Sequence, residues 1–293
     1  MNYRESHNKK FCRSGFLLKA SFVLLTLILA AAVRLPAQIR AFSYEIYRET
    51  ARVYMNFQTR DLLTLEGDYV RVRYQHKDSD YARIVLETSE KFYHPVADKY
   101  RLKSSEKAMV LVYPSKEELN ASFGWPASES AMGVYWAGVI RVLSPASWIE
   151  SKDTEEVRDI FAGVGPMAHE LTHLAVDYAT RGNCPRWFTE GLAQYEEYKL
   201  TGFRFTFREA SDEGAFYSLR DMDRGFDDLP DQALAYRESL SAVEYISTVY
   251  GEEKLLEIVT ALGEGRGMDQ SINKVLGIDF ATFEQKWRTW SGF

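Results

Sequence analysis

The sequence predicts an α+β fold in which a half that contains a mixed or antiparallel sheet is followed by a mostly helical half. Segments rich in β-branched residues, or alternating apolar and charged residues, fall within residues 69–145, whereas helical periodicity fills residues 154–291. Strands and helices segregated in this way favour α+β over alternating βαβ units. With 293 residues, of which 46% are hydrophobic and 27% charged, the chain is long enough for a sizeable core.

One N-terminal hydrophobic segment precedes this fold. Residues 1–14 form a basic flank, and residues 15–33 contain a mostly apolar, uncharged run typical of a signal-peptide core and at the short end for a membrane span. Counted from Phe16, with Lys19 reaching toward the headgroups, the segment is long enough to span. We expect a signal anchor or a signal peptide and favour the uncleaved anchor with its basic flank inside. Arginines at 34 and 40 weaken that orientation.

The first half is predicted to contain one long helix, several strands and a short helix. Residues 34–64 are interpreted as a stalk or juxtamembrane helix, because Tyr44, Tyr47 and Tyr54 recur on roughly one face. The further elements expected are a strand at 69–75, a helix at 79–100 bent or ended by Pro95, a buried strand at 107–115, a capped helical turn at 115–124, and a strand or hairpin at 133–145.

The second half is predicted to be helical throughout. Helices are expected at 154–180, interrupted at 163–166, and at 186–198, 233–250, 251–263 and 279–291. Pro166 suits the first turn of a new helix, where its missing N–H costs nothing. The glycine and proline of "GNCP" at 182–185 are expected to turn the chain back, so that the following helix packs against the preceding one.

The chain carries an H-E-x-x-H motif at residues 169–173. Residues four apart share one face of a helix, so His169 and His173 can meet one metal ion, which zinc allows at about 2.0–2.1 Å from each nitrogen. Glu170 is rotated away by about 100°, too far to ligate but well placed to act as general base on a zinc-bound water. The alternative is that the two histidines merely cap a surface helix.

A catalytic zinc site needs a third protein ligand, and Glu190 in "RWFTEGLAQYEE" is the candidate. Gly191 and Ala193 are small enough to let this helix approach the metal-bearing one. Glu196 and Glu197 are rivals, but their place at the far end of the helix favours solvation. The structural alternative for Glu190 is a carboxylate in the first half of a helix, stabilised by the helix dipole.

These segments resemble a known family. "HELTH" followed by "PRWFTEGLAQYEE" is similar to the gluzincin metallopeptidases, specifically the peptidase MA-like domain of bacterial exported proteins. "LVYPSKEELNASFGWP", "VIRVLSP", "AYRESLSAVEYISTVYGEEKLLEIVTAL" and "GIDFATFEQKWRTW" also look like segments of that domain. The resemblance implies a zincin-like fold over residues 65–293, with zinc held by His169, His173 and Glu190, and Glu170 as general base.

Two further residues are weaker candidates. Tyr236 follows the third-ligand helix and is a candidate donor to the oxyanion of a tetrahedral intermediate, the alternative being a tyrosine that packs on an amphipathic helix. Asp177 lies four residues past His173 and is a candidate to orient a ligand, or else a helix-end carboxylate that faces water.

The segment 138–145 is interpreted either as an edge strand on which an extended peptide is laid or as a core strand alone.

Together these features predict a zinc-dependent peptidase at the cell membrane, single-pass, with its catalytic domain outside the cytoplasm, or secreted if the N-terminal segment is cleaved. Its partner would be a peptide or protein substrate, and endopeptidase action is slightly favoured because no segment resembles the G-x-M-E-N motif of aminopeptidases. The alternatives are a membrane-anchored, zinc-stabilised scaffold domain without catalysis and an interaction module without metal.

A net charge of −6 without a basic block argues against binding of nucleic acid. The two cysteines provide no disulfide framework.

Overall fold

A computed structural model describes residues 37–102, 104, 106–126, 131–204 and 216–292. The predicted basic flank and hydrophobic segment, residues 1–33, lie outside the described residues. Within the described ranges, no helix combines the length and apolar character needed to cross a bilayer.

The described residues form five strands and eleven α-helices. The strands are β1 (Leu63–Glu66), β2 (Val70–Tyr74), β3 (Ala108–Tyr113), β4 (Gly133–Trp136) and β5 (Val139–Leu143). The helices of the first half are α1 (Ala37–Gln58), α2 (Ser79–Lys99) and α3 (Lys116–Ala121). Those of the second half are α4 (Thr154–Val164), α5 (Met167–Thr180), α6 (Arg186–Thr201), α7 (Leu219–Gly225), α8 (Gln232–Tyr250), α9 (Glu252–Gly263), α10 (Met268–Leu276) and α11 (Phe280–Ser291). The α+β prediction is confirmed.

The strands form one mixed sheet in the order β1-β2-β3-β5-β4. β2, β3 and β5 run parallel to one another, while β1 and β4 pair antiparallel at the two edges. β4 and β5 form a hairpin whose turn residues, Ala137 and Gly138, have φ of 45° and 86°. Positive φ at both turn positions is typical of a type I′ turn, whose twist matches that of the strands.

The position of β5 contradicts one interpretation of the sequence. β5 lies between β3 and β4 and pairs with both, so it is not an edge strand. All of its residues are buried, as expected for a strand covered on both faces. The edge strand on this side of the sheet is β4, where Gly133 and Tyr135 are half-buried and Trp136 is exposed.

The two faces of the sheet are covered by different helices. One face, which includes Val72, Val110 and Ile140, packs against apolar residues of α2, α4 and α5. The opposite face presents Met109, Leu111 and Val139, and α1 reaches it through Met55. The segment interpreted as a stalk therefore contributes a helix that packs on the sheet, and the domain boundary placed at residue 65 stays a prediction.

A second core joins the helices of the C-terminal half. Its largest fully buried side chains are Trp187 and Phe188 of α6 and Phe283 and Trp287 of α11. Gly191 of α6 lies against α8, because a Cβ at this position would be 2.3 Å from the carbonyl oxygen of Ser239. Gly191 thus permits close packing against α8 rather than against α5, the helix that carries His169 and His173, which corrects the role expected for it.

Several element boundaries differ from the prediction. α2 continues through Pro95 to Lys99, so this proline does not end the helix. The interruption expected at 163–166 separates α4 from α5, with Pro166 as the N-cap residue of α5. The short elements β1, α7 and α10 were not predicted, because each is shorter than the window of about 11 residues over which a hydrophobic period is assessed.

Glu238 on α8 is fully buried, and burial raises its pKa to about 7. Its Oε2 accepts a hydrogen bond from the Tyr217 N–H at 3.1 Å, while its Oε1 has no partner among the described residues. Because the folded-state pKa lies above the unfolded value, this side chain favours the folded state most at low pH. That contribution is lost as the pH rises from about 4.5 to about 7.

Glu238→Gln should therefore remove a pH-dependent loss of stability. We expect the variant to gain up to about 3 kcal/mol of unfolding free energy relative to the wild type between pH 4.5 and 7.5. Gln keeps an oxygen that can accept from Tyr217. The measurement is urea unfolding of both proteins at several pH values. A difference between them that does not change with pH would contradict this assignment.

Candidate metal centre

Helix α5 carries the H-E-x-x-H residues on its first turns. His169 and His173 are one turn apart on the face toward α6, with ring centroids 4.7 Å from each other. The opposite face is held in the core by Met167, Leu171 and Leu174. This amphipathic division fixes the rotation of the helix and thereby the direction in which both imidazoles point.

Glu190 of α6 meets both histidines. Its Oε2 lies 3.3 Å from His169 Nε2 and 3.5 Å from His173 Nε2. Its side chain is almost fully buried, and Oε2 makes no hydrogen bond of good geometry within the described part of the chain. A buried carboxylate oxygen that faces two imidazole nitrogens but makes no well-aligned hydrogen bond has a lone pair available for a cation.

The other nitrogen of each imidazole has a partner of its own. His169 Nδ1 lies 3.3 Å from Glu197 Oε2, and His173 Nδ1 lies 2.8 Å from Thr189 Oγ1. Such contacts select the tautomer of each imidazole and hold its ring so that Nε2 faces Glu190 and the proposed metal position. Glu197 is therefore not simply solvated, as its position at the end of the helix suggested.

The donor set fits a divalent metal ion such as zinc. One ligand atom from each of His169, His173 and Glu190 lies within 4.8 Å of the others. Two imidazole nitrogens and one carboxylate oxygen form a common ligand set of catalytic zinc sites, which leave one coordination position for water or substrate. The unpartnered Oε2 of Glu190 is the observation that supports this fit.

Electrostatic interactions hold the side chains of this cluster together. Burial alone would lower the pKa of His169, but Glu190 and Glu197 raise it well above its usual value. For Glu190, burial raises the pKa, and this is outweighed by Arg186 and the two histidines, so the pKa falls well below its usual value. Binding of a metal would therefore displace a proton from the cluster.

Arg186 is a neighbour of the site that the sequence analysis did not single out. Its Nη2 lies 3.0 Å from Glu190 Oε1, and its Nε lies 3.6 Å from Asp227 Oδ1. The guanidinium thus engages one oxygen of Glu190 and leaves the other toward the histidines. The sequence could have predicted this ion pair, because Arg186 and Glu190 are four residues apart and therefore share a helix face.

Glu170 projects from α5 toward the edge strand β4. Its carboxylate is buried, and its Oε2 has no hydrogen-bond partner within the described residues. Burial raises its pKa, while the two histidines and the Tyr135 backbone N–H act in the opposite direction. A Cβ at Gly133 would lie 2.9 Å from Glu170 Oε1, so a glycine is needed where β4 passes the carboxylate.

Tyr236 lies on α8 with a largely buried phenol. Burial, followed by the charge on Glu190, raises its pKa, and Glu170 adds to the effect. The backbone carbonyl of Tyr236 accepts a hydrogen bond from Gln194 Nε2 at 2.9 Å, which ties α8 to the ligand-bearing helix. The phenol is thus electrostatically coupled to the cluster, and its role as an oxyanion donor stays a prediction.

Asp177 and Glu196 have other partners than expected. Asp177 is mostly buried and accepts hydrogen bonds from Tyr44, Arg48 and Tyr135, so it neither faces water nor contacts a histidine. Glu196 is buried as well and pairs with Lys99, so its predicted solvation is wrong.

Comparison with known proteins identifies the family of the helical half. The model of the peptidase MA superfamily matches residues 153–292. This range begins at the N-cap of α4 and contains α4 to α11, with His169, Glu170, His173 and Glu190. No curated protein sequence matches the chain. Residues 153–292 therefore constitute a peptidase MA-like domain, and this match supports a peptidase, which is a hydrolase.

Proposed function

We propose that the protein is a zinc-dependent peptidase of zincin-like fold, with zinc held by His169, His173 and Glu190 and with Glu170 as the general base. The observation that carries the proposal is the pair of buried carboxylate oxygens without hydrogen-bond partners, Oε2 of Glu190 and Oε2 of Glu170. The first faces the two imidazole Nε2 atoms. The second is the free proton acceptor beside them. A purely structural zinc site has no use for that acceptor.

The chemistry divides between the metal and the chain. When bound, zinc lowers the pKa of a water ligand toward neutrality and polarises the scissile carbonyl. Glu170 then accepts the water proton at its carboxylate and delivers it to the leaving amine. Burial raises its pKa, which is the direction that favours a group that must both take and give a proton. Tyr236 is proposed as the donor to the developing oxyanion.

The free edge of β4 is proposed as the surface on which the substrate lies. Edge strands present unpaired backbone N–H and C=O groups, to which an extended peptide adds as a further strand. β4 passes directly beside Glu170, so a peptide paired with it would bring its scissile bond to the general base. Since an open edge accepts a chain that continues in both directions, we favour endopeptidase over aminopeptidase action.

The location outside the cytoplasm is proposed from the N-terminal pattern. Residues 1–14 carry the basic flank and residues 15–33 the apolar run of a signal anchor, and helix α1 follows at Ala37. Alkaline carbonate extraction of membranes from producing cells tests the anchor. Retention of the full chain in the pellet is expected, and release of an intact chain into the supernatant would refute anchoring.

Glu170→Gln is expected to lower hydrolysis of an unbiased peptide mixture by about 10²–10⁴-fold, because Gln cannot accept the proton. The substitution keeps the size of the side chain and removes no proposed ligand, so one zinc per chain should remain. The measurement is product formation by mass spectrometry, with zinc content determined on the same samples. The cut sites also separate endopeptidase from exopeptidase action.

Glu156→Gln on α4 is the matched control, since its carboxylate is exposed and bonds only to Ser151 among the described residues. It should hydrolyse the mixture like the wild type. Equal hydrolysis by wild type and Glu170→Gln would reject Glu170 as the base. Zinc in every protein without cleavage in any of them would instead favour a zinc-stabilised scaffold domain. Absence of zinc from all of them would reject the metal assignment.

A further inference from the structure

Asp177 is a buried carboxylate on the metal-bearing helix that takes no part in the metal cluster. Its Oδ1 accepts from the Tyr44 hydroxyl at 2.7 Å, and its Oδ2 accepts from the Tyr135 hydroxyl at 2.6 Å and from Arg48 Nη1 at 3.1 Å. The three donors come from α1 and β4, so one side chain of α5 joins both elements. Its own side chain is only 11% exposed, so these bonds are shielded from water.

Tyr135 connects β4 to α5 at two positions along the helix, Asp177 and Glu170. Its hydroxyl reaches Asp177, whereas its backbone N–H acts on the carboxylate of Glu170. Those two acidic residues are seven positions apart, which is about two helical turns or roughly 10 Å along the axis. The hydrogen bond to Asp177 at one point and the close approach of Gly133 to Glu170 at the other restrain β4 against sliding or rotating along α5.

Gly133 adds a steric constraint on the same face of the strand. Residues two apart on a strand point to the same side, so Gly133 shares the face of Tyr135. A Cβ at Gly133 would lie 2.7 Å from Pro166 Cβ and 2.9 Å from Glu170 Cγ. The separation between β4 and the general base is therefore small, and the Tyr135 contacts maintain it.

Helix α1 reinforces this arrangement from outside. The guanidinium of Arg48 lies 3.6 Å from the centroid of the Tyr178 ring and is almost fully buried. The ring of Tyr44 packs against Gly182 at the end of α5, where a Cβ would be 2.3 Å from the ring. Gly138 in the β4–β5 turn packs in the same way against Arg52 of α1, with Arg48 beside it, so α1 contacts both the helix end and the hairpin turn.

We propose that Tyr135 is a positioning residue which, through Asp177 and its partners Tyr44 and Arg48, holds the edge strand β4 in register beside Glu170. Helix α1 thereby belongs to the machinery that sets the active-site geometry, although it does not touch the metal cluster. The catalytic consequence rests on the proposed peptidase function, while the structural link between α1, Asp177 and β4 does not.

Tyr135→Phe in the full-length chain is the test. It removes the bond to Asp177 and the oxygen that accepts from the Gly138 N–H at 3.0 Å, and it keeps the ring and the backbone N–H. We expect kcat/KM for a cleaved peptide to fall about tenfold, with kcat reduced because Glu170 is misplaced and KM raised because the strand that receives substrate is less ordered. Zinc affinity should stay within twofold of the wild type. Amide hydrogen exchange in residues 133–136 should be at least about fivefold faster.

Tyr44→Phe tests the part played by α1, since this side chain contacts neither β4 nor the proposed ligands in any described hydrogen bond. It keeps the ring on Gly182 and removes one bond to Asp177. We expect faster exchange in residues 133–136 and a fall in kcat/KM of about threefold. If Tyr135→Phe fails to fold, this variant carries the test alone.

Tyr195→Phe is the matched control. It removes a hydroxyl hydrogen bond of 2.7 Å to Ser247, between α6 and α8, and should leave both exchange in residues 133–136 and kcat/KM unchanged. Wild-type rates and exchange in both Tyr135→Phe and Tyr44→Phe would overturn the proposal. If the wild type itself cleaves nothing, the peptidase assignment fails, and the exchange rates alone decide whether Tyr135 and α1 position β4.

Discussion

Replacing Glu190 with glutamine is expected to lower the zinc affinity of the chain by more than about 100-fold. Removal of groups that merely support a ligand already costs about 10–100-fold, and this change neutralises a ligand itself. It also leaves the guanidinium of Arg186, now without the carboxylate 3.0 Å away, close to a doubly charged ion. Competition with a chelator of known affinity measures the effect, and hydrolysis at limiting zinc should disappear with it.

Two neighbouring glutamates on α6 provide graded controls. Glu197→Gln alters the partner of His169 Nδ1 and should cost about 10-fold in zinc affinity. Glu196→Gln changes a buried carboxylate that faces Lys99 and Tyr100 and should leave zinc affinity within twofold while lowering stability. An affinity of Glu190→Gln within threefold of the wild type would exclude Glu190 as a ligand.

Gly191→Ala is expected to destabilise the fold by about 3 kcal/mol. The added Cβ would lie 2.3 Å from the carbonyl oxygen and 2.8 Å from the carbonyl carbon of Ser239, both of which belong to the backbone of α8. A backbone group cannot rotate away, so α6 and α8 must separate, and the core around Trp187 and Phe188 must loosen. Urea unfolding gives the change in free energy.

Gly163→Ala is the matched control for this substitution. Gly163 lies near the end of α4, and a Cβ there would meet nothing within 4 Å. Alanine should therefore stabilise the protein by about 0.5–1 kcal/mol, through its higher helix propensity and the smaller entropy of its unfolded chain. Destabilisation of the same size in both variants would show that helix packing at Gly191 is not the cause.

The sequence was most informative where local chemistry repeats at fixed spacing. The H-E-x-x-H spacing places His169 and His173 on one face whatever the rest of the fold does, and the turn at 182–185 returns α6 to that face. Glu190 could therefore be singled out from the sequence. The separation of the strands from the helical half likewise needed only the hydrophobic periods.

The features that could not be predicted from the sequence depend on contacts between segments that are distant in the chain. Nothing local distinguishes Asp177, bound by Tyr44 and Tyr135, from a carboxylate at a solvated helix end. The same holds for the order of β4 and β5 in the sheet, since a short apolar strand looks alike at an edge and in the interior. Gly191 was recognised as a close-packing residue, but its partner helix is set by tertiary packing alone.

The docking of α1 has a consequence for how the chain folds. Tyr44 and Asp177 are separated by 133 positions in the sequence, and Arg48 and Asp177 by 129 positions. The hydrogen bonds between them therefore close very long loops. Such non-local contacts form late, because the entropy of closing the loop must be met before the contact stabilises anything. In synthesis from the N-terminus, α1 emerges long before its partners on α5. Pulse-labelled hydrogen exchange during refolding should show amides of α1 protected after those of α5 and α6, and α1 protected first would contradict this order.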